Sequence, residues 1–350
     1  CYTTYLYNII TCHPMKKRIL IAMHEYSGFY KNMEWDLNEN NYKTSFLLYK
    51  DNPTKKKNRF FDILRYKYEK LITKKALSKN KKFLEYDLLS QLKKYPKNHF
   101  HYSLTIRADF YSDSILKEIN RVCITCISYH WDGLDRFPEI KNKIKYFEDF
   151  YVFEIKDFVK YKPHYENLKL TTNFYFEHNK PKETYDKTDV FYIGEFLESR
   201  KDDIINIYTE LKKLNLNIKI KFWSTNKETI QKLQSNDIQF FQQTLDYSDV
   251  LELSKSSKIV IDILVKGENR HSGLSLRFFE ALHHKNKIIT DNIEVLKYDF
   301  YSSKNIFIIG HDPIESLPLF IETEIQQINS NITKKYSFTS WVEQKMKNKK

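Results

Sequence analysis

The stretch that decides the fold lies near the carboxyl end of the chain: Glu268-Asn-Arg-His-Ser-Gly-Leu-Ser-Leu-Arg-Phe-Phe-Glu-Ala-Leu-His-His-Lys-Asn-Lys-Ile-Ile-Thr-Asp-Asn292. The apolar run Lys258–Val265 comes just before it. Together they predict a buried strand, a polar loop, a helix, a turn and a second strand. Strands that alternate with helices in this way indicate a parallel sheet of the α/β class.

The loop ahead of the predicted helix is a candidate anion site. Gly273 lies where unpaired backbone N–H groups and the positive end of a helix dipole favour negative charge. Arg277 and Glu280 are three residues apart, so on a helix their side chains share a face. We expect one to hold a phosphate and the other a pair of ribose hydroxyls, as in a nucleotide-sugar site. The alternative is a surface ion pair that only stabilises its helix.

Length and composition indicate a globular protein with more than one core. At 350 residues the chain exceeds what one core usually supports, and 41% of it is hydrophobic. The cysteines at positions 1, 12, 123 and 126 give no disulfide framework. Cys123 and Cys126 lie inside an apolar run, which favours two buried thiols in a strand over metal or redox chemistry. This cysteine usage predicts a reducing, cytoplasmic compartment.

The net charge of +13 comes mostly from scattered lysines. Their densest clusters lie between residues 50 and 98, where a solvated helical face is one interpretation and contact with an anionic membrane, at the inner face of the cytoplasmic membrane, is the other. No apolar stretch approaches the roughly 20 residues needed to span a bilayer. The aromatic residues do not interleave with basic ones in an RNA-binding pattern, so we expect no nucleic-acid partner.

Strand and helix patterns alternate in two series, separated by the polar stretch 177–189. Helical spacing between the strands includes long basic helices from Asn58 to Lys94. The predicted strands are Arg18–Met23, Thr44–Tyr49, Tyr102–Arg107, Val122–Ser128, Asp149–Glu154 and Leu168–Tyr175, then Val190–Gly194, Ile218–Trp223, Ile238–Phe241, Lys258–Val265, Lys287–Asn292 and Ile306–Ile309. We therefore predict two Rossmann-like, doubly wound α/β domains that face each other across a cleft.

The predicted division of the chain has four parts. Residues 1–14 form an extension, residues 15–178 the first Rossmann-like domain, and residues 190–332 the second. Residues 333–350, which include Phe338 and Trp341, form a terminal helix that packs back toward the first domain.

Two polar loops of the first domain carry candidate catalytic groups. The loop Ser128–Pro138 crowds aromatic, acidic and basic residues at a strand end, where packing does not need them. Asp132 is the candidate catalytic carboxylate, with His130 in the same loop as an alternate. The other interpretation is a salt-bridged turn, with Asp135 paired to Arg136 or Asp132 capping a helix. His24 and Glu25 follow the first strand, where α/β sheets bind ligands, and are further alternates.

Three segments carry a resemblance to a known class. They are Tyr129–Arg136, Tyr192–Arg200, and Gly273–Leu282 together with Lys287–Asn292. In order and spacing they resemble the GT-B class of glycosyltransferases, and specifically the bacterial enzymes of lipopolysaccharide and capsule synthesis. The resemblance spans most of residues 16 to 345, and its third segment is the most specific.

The resemblance implies transfer of a sugar from a nucleotide-sugar donor to a glycan or lipid-linked acceptor. The first domain would bind the acceptor and the second the donor. The resemblance implies that Glu280 and the helix start around Gly273 bind the donor. The full set of candidate donor-binding residues is Gly194, Arg200, Ser272, Gly273, Leu274, Arg277 and Glu280, where Gly194 is alternatively a glycine that only turns the chain at a strand end. Retaining members carry two glutamates eight positions apart; Glu280 holds the second position, but Ser272 stands at the first, so the stereochemistry is left open.

Asp132 would then act as general base, or as nucleophile in a double displacement. Fixed cations and a helix dipole can stabilise the leaving phosphate, so we expect neither a metal ion nor another cofactor. The alternative function is a non-catalytic nucleotide- or glycan-binding protein that keeps a GT-B shell.

Overall fold

The computed structural model describes residues 16–50, 79–181, 183–243, 245–267 and 272–346. The predicted extension 1–14 lies outside these residues, and so does the part of the basic region from 51 to 78. Within the described ranges the structure consists of two six-stranded parallel sheets with helices packed against them.

The first sheet has the strand order β2-β1-β3-β4-β5-β6. Its strands are β1 (Lys17–His24), β2 (Tyr42–Tyr49), β3 (Phe100–Ile106), β4 (Cys123–His130), β5 (Asp149–Val152) and β6 (Leu168–Leu170). Its helices are α1 (Phe29–Glu39), α2 (Lys79–Leu92), α3 (Asp113–Val122) and α4 (Ile155–Tyr161), with 3₁₀ turns at Ala108–Phe110 and Pro138–Tyr146. Every neighbouring pair of strands is parallel.

The second sheet has the order β12-β11-β10-β7-β8-β9. Its strands are β7 (Thr188–Glu195), β8 (Ile218–Trp223), β9 (Ile238–Phe241), β10 (Ser257–Asp262), β11 (Lys287–Thr290) and β12 (Ile306–Ile308). Its helices are α5 (Glu198–Lys212), α6 (Lys227–Leu233), α7 (Tyr247–Lys255), α8 (Leu276–His284) and α9 (Leu317–Glu322), with 3₁₀ turns at Ile293–Lys297 and Ile314–Ser316. Read from its first strand, this is the Rossmann order 3-2-1-4-5-6, with the topological switch point between β7 and β10.

Both faces of each sheet are covered, which explains why the strands read as near-continuous apolar runs. Leu20 and Ala22 of β1 pack into one cluster, whereas Ile19 and Ile21 pack into another on the opposite face. Successive side chains of a strand point to opposite faces, so the sheet is buried between two layers. The prediction of two Rossmann-like α/β units is confirmed. Cys123 and Cys126 are both buried in β4.

The last helix, α11 (Phe338–Met346), follows α10 (Ser330–Lys335) and packs against the first sheet. The indole N–H of Trp341 donates to the carbonyl of Thr172 over 2.9 Å, and its ring lies 5.2 Å from that of Phe174. The N–H of Phe338 donates to the carbonyl of Tyr175. The end of the described chain is therefore part of the core of the first half.

The bounds of the predicted strands differ from those of the structure by a few residues, most of all at the end of β6. Helix α1 begins at Phe29 because Gly28 caps it in a left-handed conformation with φ of 73°, which shortens the loop after β1. Strand β6 ends at Leu170, and the chain then continues unpaired to an isolated bridge between Tyr175 and Ser337. Among the described helices, each is too short or too polar to cross a bilayer.

Candidate functional site in the interdomain cleft

Two adjoining cavities lie between the halves. The first, named here the cleft cavity, has a volume of about 420 Å³ and is lined by Trp131, Asp132, Arg136, Phe153 and Asn173 from the first half and by Arg200, Tyr247, Asp262, Arg277 and Glu280 from the second. The second, the strand-end cavity, has about 430 Å³ and is lined by Tyr26, Ser27, Gly194, Trp223 and Phe241 among others. Tyr247, Val250 and Arg277 line both, so the two cavities meet at these residues.

A third cavity, of about 490 Å³, lies near the amino ends of β11 and β12, between His283 and Lys334. Ligands of parallel α/β sheets bind outside the carboxyl ends of the strands, at the opposite edge. The two cavities in the cleft are therefore the better candidate site.

Arg277 bridges the two strands at the switch point of the second sheet. Its Nη1 donates to Oδ1 of Asp262 at the end of β10 over 2.8 Å, and its Nη2 donates to the carbonyl of Ile193 in β7 over 2.7 Å. Burial opposes the charge of Arg277, but the Asp262 carboxylate outweighs it and raises the pKa of the guanidinium. Arg277 is thus a fixed cation at the point where the two cavities meet.

The start of α8 is anchored to the same carboxylate. The hydroxyl of Ser275 donates to Asp262 over 3.0 Å and accepts from the N–H of Arg277, which makes it the N-cap of the helix. Helix α8 therefore begins after Ser275, two residues beyond the glycine around which the sequence places its start. Asp262 organises both the guanidinium and the helix terminus.

Glu280 lies one turn further along α8 and lines the cleft cavity. It is buried, and the hydroxyl of Tyr247 donates to its Oε1. Burial raises the pKa of Glu280, and the bond from Tyr247 and the charge of Arg277 oppose that shift. Among the described residues, the ion pair of Arg277 is made with Asp262 and not with Glu280, so the alternative of a helix-surface pair is wrong.

The N–H groups ahead of α8 are not unpaired, which corrects the sequence expectation. The amides of Ser272 and Gly273 donate to Oε2 of Glu154, over 2.5 and 2.9 Å, and the hydroxyl of Ser272 donates to Oε1 over 2.6 Å. Glu154 comes from the first half, where it follows β5 and caps α4. The anion held by this loop is therefore a carboxylate of the protein itself.

Gly273 is required by contact with the first half of the chain. A Cβ at this position would lie 2.5 Å from Cδ2 of Phe153 and 3.0 Å from the Phe153 carbonyl oxygen. The next residue, Leu274, is buried and its carbonyl accepts a bond from Nδ2 of Asn173 over 2.8 Å. The loop that was expected to cradle a ligand thus also forms the seam between the two halves.

Asp132 lines the cleft cavity with both carboxylate oxygens engaged. Its Oδ2 accepts from Nη1 of Arg107 over 2.5 Å, and its Oδ1 accepts from Nη1 of Arg136 over 2.9 Å. Arg107 is nearly buried and left-handed, with φ of 58°, a strained conformation for a residue with a side chain. Asp135 pairs instead with Lys141 and Lys160, so the turn is salt-bridged, but with partners other than those expected for Asp135.

The three alternates to Asp132 lie apart from the cleft cavity. His130 is fully buried, and burial lowers the pKa of its imidazole to about 4, so it is neutral at physiological pH. The ring of His24 packs against Phe110 at 4.9 Å, and Glu25 is paired with Lys50. Among the described residues it is Tyr26 and Ser27, just after them, that reach the strand-end cavity.

Gly194 and Arg200 lie together at the end of β7. A Cβ on Gly194 would lie 2.7 Å from the hydroxyl oxygen of Tyr192 and 3.0 Å from Nη2 of Arg200, so the glycine makes room for these side chains. Nη2 of Arg200 donates to the carbonyl of Glu195 over 2.6 Å. Arg200 lines the cleft cavity and Gly194 the strand-end cavity.

Sequence reasoning missed Asp262, Glu154 and Asn173. Asp262 carried a readable signal, since it is an acid inside the apolar run Lys258–Val265. Glu154 is an acid that ends a predicted strand, but its partners are 118 and 119 residues away in the chain. No local pattern identifies such a pair.

Comparison with known proteins shows which solved structures share this fold. No protein-family model and no curated protein matches the chain. Among solved structures, an alpha-glucosyltransferase in complex with UDP-glucose and DNA containing an abasic site is similar over 93% of this chain and 92% of its own, with 13% identity and a TM-score of 0.51. A glycosyltransferase from Rickettsia africae ESF-5 is similar over 95% of this chain and 97% of its own, with 13% identity and a TM-score of 0.50. The chain has the GT-B fold.

Proposed function

We propose that this protein is a glycosyltransferase that moves a sugar from a nucleotide-sugar donor to a glycan or lipid-linked acceptor in the synthesis of cell-surface polysaccharide of the lipopolysaccharide or capsule type. The observation that carries the proposal is Arg277, a cation fixed by Asp262 at the switch point of the second sheet, opposite the Asp132 loop across one cavity. The fold shared with an alpha-glucosyltransferase bound to UDP-glucose supports it.

The second half offers a place for each part of a nucleotide. Trp223 and Phe241, at the ends of β8 and β9, line the strand-end cavity, and Trp223 is 36% exposed, so a ring is available to stack a nucleobase. The diphosphate would lie where the cavities meet, against Arg277 and Arg200. Glu280, in the wall of the cleft cavity, would accept the ribose hydroxyls.

The leaving diphosphate would be stabilised without a metal ion. Charge that builds on its oxygens as the glycosidic bond breaks would be met by the guanidinium of Arg277 and by the positive end of the α8 dipole. Arg277 is already oriented by Asp262 and Ile193, so little reorganisation is needed. Because the amides of Ser272 and Gly273 donate to Glu154, these two residues would hold the loop in place and would not bind the phosphate.

Asp132 would activate the acceptor from the first half. The acceptor hydroxyl oxygen bonds to the anomeric carbon, the bond from that carbon to the phosphate oxygen breaks with its electron pair leaving on the nucleotide, and the hydroxyl proton passes to Asp132. Arg136 is 56% exposed in its side chain and can release Oδ1 of Asp132, whereas Arg107 is buried and keeps the carboxylate oriented. In a double displacement, Asp132 would instead bond to the anomeric carbon first.

The alternative is a protein that binds a nucleotide or glycan without turnover. Release of nucleoside diphosphate or monophosphate from a panel of UDP-, GDP-, ADP- and CMP-sugars, with glycan, polyprenyl-phosphate glycan and duplex DNA acceptors, separates the two. We expect release from one donor, accelerated by a glycan or lipid-linked acceptor. Binding without release would favour the alternative, and acceleration by DNA alone would contradict the proposed acceptor class.

We propose a cytoplasmic location, with contact at the inner face of the membrane through the basic region between residues 50 and 98. Binding of the full chain to vesicles that contain anionic lipid, compared with neutral vesicles, tests that contact.

A further inference from the structure

A buried carboxylate joins the two halves of the protein at the cleft. Glu154 is 4% exposed, and its two oxygens accept four hydrogen bonds. One comes from the amide of Lys156 in its own helix, and three come from Ser272 and Gly273 of the other half. Burial alone would raise the pKa of Glu154, but these bonds outweigh it and hold the pKa below its ordinary value, so the group is an anion at neutral pH.

The donor side of the cleft is held in place without Glu154. Arg277 is fixed by Asp262 and by the carbonyl of Ile193, and Ser275 is fixed by Asp262. These partners all belong to the second half of the chain. Loss of Glu154 would therefore leave the cations that face a phosphate where they are.

The sheet register connects Glu154 to the opposite wall of the cleft. His130 of β4 pairs with Val152 of β5, so Asp132 and Glu154 each lie two residues beyond paired positions of neighbouring parallel strands. Phe153, which lies between Val152 and Glu154 in the chain, contacts Gly273. A bond that fixes Glu154 to the loop 272–273 thus also fixes the distance from the Asp132 loop to the donor half.

We propose that Glu154 is a positioning residue for the transfer reaction, which holds the Asp132-bearing edge of the first sheet against the donor half through Ser272 and Gly273. This inference rests on the proposed function. Glu154 touches neither the expected phosphate position nor the reacting atoms. Its role is to keep the base and the donor at reacting distance. Loss of Glu154 would misplace the base relative to the donor, which affects turnover more than donor binding.

The test compares Glu154→Gln, Ser272→Ala and the double variant with Glu166→Gln, an exposed glutamate of the same half. A glutamine keeps the shape but loses the charge that orders the amides. We expect kcat to fall by about tenfold to a hundredfold, the range for lost hydrogen bonds to a charged group, while the Kd of the nucleoside diphosphate changes less than about threefold. The double variant should lose less than the sum of the two single variants, because both substitutions weaken the same contact between Glu154 and the loop 272–273.

A second measurement does not depend on turnover. In the wild type the amides of Ser272 and Gly273 should be protected from hydrogen exchange. In Glu154→Ala they should exchange faster, while the exchange rates of the β10 amides stay unchanged. Unaltered exchange, additive effects in the double variant, or a loss of donor affinity equal to the loss of kcat would each overturn the positioning role. If the wild type turns over no donor, the proposed function fails and the positioning role fails with it, whereas the exchange measurement still decides whether the contact joins the halves.

Discussion

Arg277 and Asp262 form an ion pair across the switch point of the second sheet, with 2.8 Å between Nη1 and Oδ1. Asp262 is nearly buried, and it also accepts from Ser275. The pair therefore has two consequences that can be separated: it stabilises the carboxyl end of β10, and it aims a cation into the cleft.

Replacing Arg277 should lower both the stability of the protein and its affinity for a nucleotide. A second substitution, at Asp262, should restore the stability alone. Arg277→Ala leaves the Asp262 carboxylate buried without its cation, which costs about 2 kcal/mol of unfolding free energy, as for other lost bonds to charged groups. Adding Asp262→Asn removes the unpaired charge. We expect denaturant unfolding to show recovered stability in the double variant, while calorimetry shows nucleotide affinity still lost. Affinity that returns with stability would mean that Arg277 serves the fold alone.

Asp132 and Asp135 provide a matched pair of carboxylates in one loop. Asp132 lines the cleft cavity, whereas Asp135 is held by Lys141 and Lys160 outside it. Asp132→Asn should lower kcat by about a hundredfold or more, the usual contribution of a general base, and leave the Kd of the nucleotide unchanged. Asp135→Asn should leave both unchanged. An active Asp132→Asn enzyme would remove Asp132 from the mechanism.

Gly273 tests the close approach of the two halves. In Gly273→Ala the new methyl would meet the Phe153 ring at 2.5 Å, and overpacking of this kind costs about 1–3 kcal/mol. We expect a lower Tm and a larger radius of gyration in small-angle scattering, as the seam opens. Adding Phe153→Ala removes the ring contact and should reverse most of the expansion. A Gly273→Ala protein as compact and stable as the wild type would contradict the described contact.

Asp36 predicts a pH dependence of stability. Burial raises its pKa to about 6 although the amides of Glu177 and His178 and the His178 ring donate to it. Because the folded pKa lies above the unfolded value of 3.8, the folded state binds this proton more tightly, and the stability it contributes is lost as pH rises through about 6.

The variant Asp36→Asn does not titrate at this position and keeps an oxygen acceptor for one of the two amides. Its Tm relative to the wild type should therefore rise between about pH 4 and pH 6 and then level off. Glu34→Gln, an exposed change on the same helix, should follow the wild-type profile. A difference in Tm that falls over this range would contradict the raised pKa.

The architecture could be predicted because each sheet is buried on both faces. Each of the twelve predicted strands corresponds to a strand of the structure, since runs such as Ile19–Met23 or Ile259–Ile261 are apolar throughout. Arg277 and Glu280 were identifiable by their helical spacing in a helix that follows a polar loop. Their placement beside the cleft follows from the general position of sites at strand carboxyl ends.

The partners of these residues could not be predicted in the same way. Local spacing relates residues within one turn or one strand, whereas the partners of Arg277, Gly273 and Ser272 come from β7, β10 and the segment after β5. From the sequence, the amides ahead of α8 could donate either to a ligand or to a carboxylate of the chain. They donate to Glu154 because the fold of the first half places that residue beside them. The partner of Asp132 could not be predicted from local spacing either, because Arg107 lies 25 residues earlier in the chain.

The most direct test of the central claim is calorimetric titration of the wild type and of the Arg277→Ala, Asp262→Asn double variant with UDP, GDP, ADP and CMP. The proposed site predicts that one of these nucleotides binds the wild type with a stoichiometry near one, and that the stable double variant binds it at least about tenfold more weakly, the factor that 1.4 kcal/mol represents. Absence of binding by all four nucleotides, or equal affinity of the two proteins, would contradict a nucleotide-sugar site at Arg277.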